Sequence, residues 1–135
     1  MKVLIDTNVI LDVLCNRADF VDASLKVWKL CEVGQLEGYI SALTIPNIVY
    51  ILRKELTPEK TQQLIQQITM IFTVIDLRAS DISSAAQMYT SDYEDAVQMC
   101  QADRIKADHI ITRNIRDFKG SKAMALTPAE LLNRI

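Results

Sequence analysis

The sequence predicts an α/β fold, three α/β/α layers around a central parallel sheet. Three observations predict it. Short apolar runs alternate with stretches of helical spacing along all 135 residues. The runs are continuously apolar rather than apolar at every second position, as in strands covered on both faces. Only three glycines and three prolines are present, so connections are short and no linker is visible. Alternating strands and helices joined by short links form a parallel sheet with helices on both faces. Half of the residues are apolar, enough for one core, and the length suits a single domain over residues 1–135.

In order, residues 2–5 read as a strand and 7–16 as a helix. "NRADF" is a break, and 20–34 is a second helix ending at Gly34, a good residue for a helix C-terminus. "LEGYIS" (36–41) is a strand. In 43–56, Ile45, Ile48, Val49 and Leu52 fall at helical spacing. Helix 57–72 opens with Thr57 as N-cap and Pro58 at the first helical position. "TVIDL" (73–77) is a strand. Ile82, Ala85, Ala86 and Tyr89 mark a helix over 79–89. Helix 91–107 follows, then strand 108–112, the segment "RNIRDF", and a last strand in 122–127. Thr127, Pro128 and Glu130 make a capping box that opens the final helix.

Bulk properties exclude several classes. The formal net charge is −2, so no global basic field draws the chain to nucleic acid, and such contact needs a local patch or a cation. Cys15, Cys31 and Cys100 are few, odd in number and widely spaced. They read as small core residues of a chain in a reducing cytosol, not as a zinc site. The N-terminal apolar run is too short to span a bilayer, so no membrane partner is expected. No GxxxxGK[ST] or GxGxxG occurs. Ser41 and Ser91 have no histidine base near them in sequence. His109 lacks a ligand companion and reads as a structural or edge residue.

The acidic residues carry the chemistry. Asp6 follows the first strand directly, in "DTN". Asp92 and Asp95 stand at a helix start, in "SDYEDA". Thr112, Asn114 and Asp117 stand in "TRNIRDF", after another strand. In a parallel sheet these strand ends share one crevice, where ligands gather. Converging carboxylates repel unless a cation sits between them, and oxygen ligands without His or Cys suit Mg²⁺ or Mn²⁺. Each residue also has a plainer reading. Asp6 could cap the first helix, and Asp92 could cap its own, with Ser91 and Glu94 as a capping box. Asp95 gains from the helix dipole, and Asp117 could be a turn residue. Asp92 and Asp95, three apart, share a helix face.

"VLIDTNVILDVL", "SDYEDAVQ" and "IITRNIRDF", with the closing "TPAELL", resemble the PIN domain family, and more narrowly a bacterial branch with a DxxDA helix start. The resemblance spans nearly the whole chain in order and spacing. It implies a parallel sheet flanked by helices and a metal-dependent ribonuclease, often the toxin of a VapC-like toxin–antitoxin pair. By motif, Asp6 would be the first metal carboxylate and Asn8 its DxN neighbour. Asp95 would be the central acid, Asp92 a supporting acid and Asp117 the last acid. Thr112 and Asn114 would line the pocket. Where many PIN domains carry a glutamate, on the helix after the second strand, this chain has Asn47, which brings no charge. Glu55, about two turns further on, should not reach the same spot.

The leading expectation is hydrolysis of single-stranded RNA with Mg²⁺ or Mn²⁺ held by Asp6, Asp95 and Asp117, assisted by Asp92. Arg17, Arg113 and Arg116 are candidate rim residues that steer the RNA backbone. The resemblance also implies a cognate antitoxin protein and a homodimer in the cytoplasm. A second reading is a PIN-like module that binds RNA or protein without turnover, because of Asn47. A third is an aspartyl-phosphate enzyme built on Asp6, although the second aspartate that pattern wants is replaced by Asn8.

Overall fold

A computed structural model describes residues 1–88 and 92–135. Five parallel strands form the sheet: β1 (Lys2–Ile5), β2 (Glu37–Ser41), β3 (Thr73–Ile75), β4 (His109–Ile111) and β5 (Met124–Leu126), in the order β3-β2-β1-β4-β5. The helices are α1 (Thr7–Leu14), α2 (Val21–Glu32), α3 (Thr44–Ile51), α4 (Pro58–Ile71), α5 (Ala79–Ala86), α6 (Tyr93–Arg104) and α7 (Pro128–Leu132), with a 3-10 helix at Ile115–Phe118. The expected three-layer α/β/α arrangement is present.

Strand alternation builds the two outer layers. Val3 and Ile5 of β1 point to one face, where they join Val9, Trp28, Ile48, Ile68 and Leu131 from α1, α2, α3, α4 and α7. Leu4 points to the other face, with Ala85 of α5, Ala96 and Val97 of α6, and Phe118. In β4, Ile111 and Ile110 divide the same way. Both faces are covered at the centre of the sheet, which explains the apolar runs 3–5 in β1 and 110–111 in β4. Gly38 in β2 permits a close approach: a Cβ there would lie 2.6 Å from Cys31 Sγ and 2.8 Å from the Phe72 ring. Phe72 in turn meets Trp28 edge to face, with ring centroids 5.0 Å apart.

Several expected termini are present. Thr57 accepts from the Lys60 amide at 3.2 Å. Thr127 and Glu130 form their reciprocal capping box at 3.1 and 3.0 Å. Gly34 follows α2 at φ +80°, a conformation that suits glycine. Helix α3 is shorter than expected, stopping at Ile51 rather than running to residue 56. The Tyr50 carbonyl accepts both the Arg53 amide, at 3.3 Å, and Arg53 Nη1, at 2.7 Å. Pro46 is the third residue of α3, where no intrahelical amide donor is needed. The expected Tyr89 position and the Ser91–Glu94 capping box lie outside the described residues.

The chain runs outward from β1 through β2 to β3, then returns to β4 and β5 on the other side of β1. The order reverses between β1 and β4, paired in register from Val3 with His109 to Ile5 with Ile111. A crevice opens beyond the carboxyl ends of the strands at such a reversal. Asp6 and Thr112 are the next residues after those two strands. Among the described residues no helix is long and apolar enough to cross a membrane.

Candidate active site

Asp6 sits at the seam between β1 and α1, at the N-cap position of the helix. Its backbone is extended, at φ −65° and ψ 148°, yet its side chain makes no capping hydrogen bond. The carboxylate is used elsewhere. Gln98 Nε2, from α6, donates to Asp6 Oδ1 at 3.0 Å, and Thr112 Oγ1, after β4, donates to Oδ2 at 3.0 Å. The capping alternative is thereby set aside in favour of a carboxylate held at the sheet's reversal point. Thr112 is itself fixed, because its Oγ1 accepts from the Asn114 amide at 3.1 Å.

Asp6 borders a cavity of about 300 Å³, together with Asn8, Asn47, Asp92, Glu94 and Asp95. Gln98 closes the wall, and Tyr50 and Ile51 of α3 form an exposed apolar lip. Among the described residues Asp6, Asp92, Glu94 and Asp95 line this space, and no lysine, arginine or histidine does. Asp92 is the N-cap of α6, accepting from the amides of Glu94 at 2.9 Å and Asp95 at 3.3 Å. Its capping reading holds, and it borders the cavity as well. The cap fixes the first turn of α6, so Glu94, Asp95 and Gln98 are displayed together toward β1.

The electrostatics follow from this crowding. Burial pushes the Asp95 carboxyl up to about 7, and the charges of Asp6, Asp92, Asp117 and Glu94 add to the rise. Burial also raises Asp6, opposed by its Gln98 and Thr112 donors and reinforced by Asp92. Glu94 is raised by burial and by Asp92 and Asp6, while a hydrogen bond from Asn47 acts the other way. A cation in the cavity would favour ionisation of all three.

The remaining expected residues are placed as follows. Asp117 lies in the 3-10 helix and acts on Asp95 through its charge, but does not line the cavity. Asn114 precedes that helix and contributes its backbone amide to Thr112. Two of the rim arginines are engaged elsewhere. Arg17 Nη1 lies 3.3 Å from Oδ1 of the buried Asp12, and Arg113 Nε lies 3.1 Å from its Oδ2. The Arg113 contact is an ion pair without hydrogen-bond alignment. The Arg113 guanidinium also stacks on Phe20, 4.2 Å from the ring centroid. Arg17 and Arg113 thus neutralise Asp12, whose carboxyl burial raises and these cations lower.

Sequence reasoning missed Glu94, Gln98 and Asp12. Gln98 stands three residues after Asp95 and four after Glu94, the spacing that puts side chains on one helix face. That signal was available. Asp12 carries none, because nothing local distinguishes a buried aspartate from an exposed one.

The donor set fits a hard divalent cation. Among the described residues, the polar side chains around the cavity offer oxygens and amides, with no thiol or imidazole. Among the described residues no three acidic, cysteine or histidine side chains are already gathered into a metal cage. The open arrangement suits Mg²⁺, which keeps several waters and needs only one or two carboxylates directly.

A PIN domain family model matches residues 2–116. The chain is similar in structure to a toxin–antitoxin complex from Klebsiella pneumoniae, at 21% identity and a TM-score of 0.72, covering 93% of this chain and 97% of that one. It is also similar to VapBC-1 from nontypeable Haemophilus influenzae, at 16% identity and a TM-score of 0.70, covering 96% and 99%. VapBC2 from Rickettsia felis, bound to a DNA fragment from its promoter, is similar at 15% identity and a TM-score of 0.69, covering 94% and 98%. No curated protein matches the sequence. At these identities the solved structures speak for the fold, and the family model speaks for the sequence: this chain belongs to the PIN domain family.

Proposed function

We propose that this protein is a metal-dependent endoribonuclease that hydrolyses phosphodiester bonds of single-stranded RNA, and that it is the toxin of a toxin–antitoxin pair. One observation carries the reading: Asp6 is held by Gln98 and Thr112 at the reversal point of the sheet, on a cavity walled by carboxylates and, among the described residues, free of basic side chains. PIN family membership supports the nuclease class, and the toxin–antitoxin complexes among similar structures support the toxin role.

Asp6, Asp92 and Asp95 would hold Mg²⁺ or Mn²⁺, with Asp117 contributing charge. The ion would supply an activated water and stabilise charge at phosphorus. The chain's own residues do the rest. Gln98 and Thr112 fix both oxygens of Asp6. Asp95, displayed on the first turn of α6 beside Asp92 and facing the same cavity as Asp6, is placed to orient an attacking water. Tyr50 and Ile51 offer an exposed apolar lip on which an unpaired base can lie.

The test is cleavage of a labelled single-stranded RNA with Mn²⁺, with Mg²⁺ and with EDTA. Cutting that requires metal and disappears in Asp6→Asn and Asp95→Asn supports the reading. A fully active Asp95→Asn protein sinks it. The uncharged Asn47 on the cavity wall favours a second reading, a PIN domain that binds RNA or protein without turnover. RNA binding by a folded protein that cuts nothing under any metal condition supports that one. The toxin role further implies a small antitoxin partner, a homodimer and a cytoplasmic location. Co-purification with the product of an adjacent gene checks the partner.

A further inference from the structure

We propose that Glu94 is a ligand of the divalent cation in this cavity and that Asn47 is its positioning residue. The inference rests on the metal-dependent reading above and extends its ligand set to a residue outside it. Glu94 is the second residue of α6, and its amide is tied to Asp92 Oδ1. Its backbone is therefore fixed by the same cap that fixes Asp95. Its side chain lines the same cavity as Asp6, Asp92 and Asp95. Asn47 Nδ2, reaching over from α3, donates to Glu94 Oε1.

The chemistry of that contact matters. An amide donor orients a carboxylate and satisfies one oxygen without cancelling its charge. An arginine or lysine at the same place would neutralise it. Among the described residues no basic side chain lines the cavity, so the Asn47 contact orients Glu94 and leaves its charge available to a cation. An independent observation also points to a ligand. Gln98 is 2% exposed and borders the cavity. Its Nε2 is spent on Asp6, and its buried Oε1 has no hydrogen-bond partner among the described residues. Buried acceptors are rarely left unpaired. A water in the shell of a bound cation is a donor of the right kind.

The alternative is purely structural, in which the Asn47–Glu94 hydrogen bond only pins α3 to α6. Titration of the metal-free protein with Mn²⁺, followed by calorimetry, separates the two. Glu94→Gln should weaken Mn²⁺ binding by roughly tenfold or more, and Asn47→Ala should weaken it by a smaller factor, as outer-sphere partners of metal ligands do. Asn47→Ala placed in the Glu94→Gln background should add nothing, because Asn47 acts through Glu94. Glu94→Asp, which keeps the charge and withdraws it by one methylene, should also weaken binding. It serves as the informative variant if Glu94→Gln fails to fold. Wild-type affinity in folded Glu94→Gln or Glu94→Asp overturns the proposal, as do additive effects of the two substitutions. A wild-type protein that binds no Mn²⁺ defeats the nuclease reading as well, so the two failures are distinguishable.

Discussion

Gln98 donates to Asp6 at 3.0 Å across 92 residues of chain, joining α6 to the end of β1 through one buried hydrogen bond. Thr112 holds the other oxygen, also at 3.0 Å. Each donor favours the ionised carboxylate and so opposes the burial that raises it. Gln98→Met preserves the shape of the side chain and removes the donor. A hydrogen bond to a charged group contributes about 1.5–3 kcal/mol, so chemical denaturation at neutral pH should show a loss of roughly that size. Catalysis should also fall, because one oxygen of Asp6 is then free to rotate. A Gln98→Met protein with unchanged stability and cleavage would show that Thr112 alone suffices.

Asp95 makes the metal-free protein sensitive to pH. Its carboxyl lies at about 7, against an ordinary 3.8. The folded state therefore binds a proton more tightly than the unfolded state across that interval. Stability falls as pH rises wherever the folded state holds more protons. The contribution of Asp95 is fully present below about pH 4 and is lost by about pH 7. Melting in EDTA should show the wild type losing ground between those values relative to Asp95→Asn. Adding Mn²⁺ should remove the difference in slope, because a cation favours the ionised form.

Asp81 and Arg104 give the opposite pH dependence. Arg104 Nη2 lies 2.8 Å from Asp81 Oδ2, and its Nη1 lies 3.0 Å from Asp76 Oδ1, so one guanidinium ties α6 to α5 and to the end of β3. Burial tends to raise Asp81, but the hydrogen bonds from Arg104 and the Arg78 amide outweigh it and hold the carboxyl below its ordinary value. A depressed carboxylate contributes stability that is present above the unfolded pKa and lost as pH falls through the folded one. Asp81→Asn should cost about 1–3 kcal/mol at pH 7 and less below pH 3. An equal loss at both pH values would count against the ion pair as the cause.

Much of the fold and part of the site were legible from the sequence because they rest on local patterns. The apolar runs at 3–5 and 109–111, Thr57-Pro58 and the Thr127 capping box report conformations set within a few residues. That Asp6, Asp92 and Asp95 border one cavity was legible because strand ends and helix starts converge in a parallel sheet. The partners were harder. That Asn47 meets Glu94, or that Arg113 turns from the rim to Asp12, depends on how α3, α6 and α1 pack. Helix α3 gives way after Ile51 to tighter turns, in which the Arg53 and Glu55 amides bond back three residues to Tyr50 and Leu52, and periodicity does not record such a change. Gln98 lay on a readable face, but only the distance to Asp6 shows what that face is for.

Gly38 and Gly34 offer a contrast between packing and backbone conformation. An alanine Cβ at Gly38 would lie 2.6 Å from Cys31 Sγ and 3.1 Å from Cys31 Cβ, against a buried side chain between β2 and α2. The Phe72 ring cannot yield without disturbing its edge-to-face contact with Trp28, and Cys31 is itself buried. Overpacking of this kind costs about 1–3 kcal/mol. At Gly34 there is open space around the new Cβ, and only the φ of +80° resists it. The cost there should be about 1 kcal/mol, the size of a left-handed backbone penalty for an L-residue. Urea denaturation of Gly38→Ala and Gly34→Ala should therefore rank Gly38→Ala as the more damaging. The reverse order would mean that α2 shifts to make room and that the sheet–helix contact at Cys31 is looser than its distances imply.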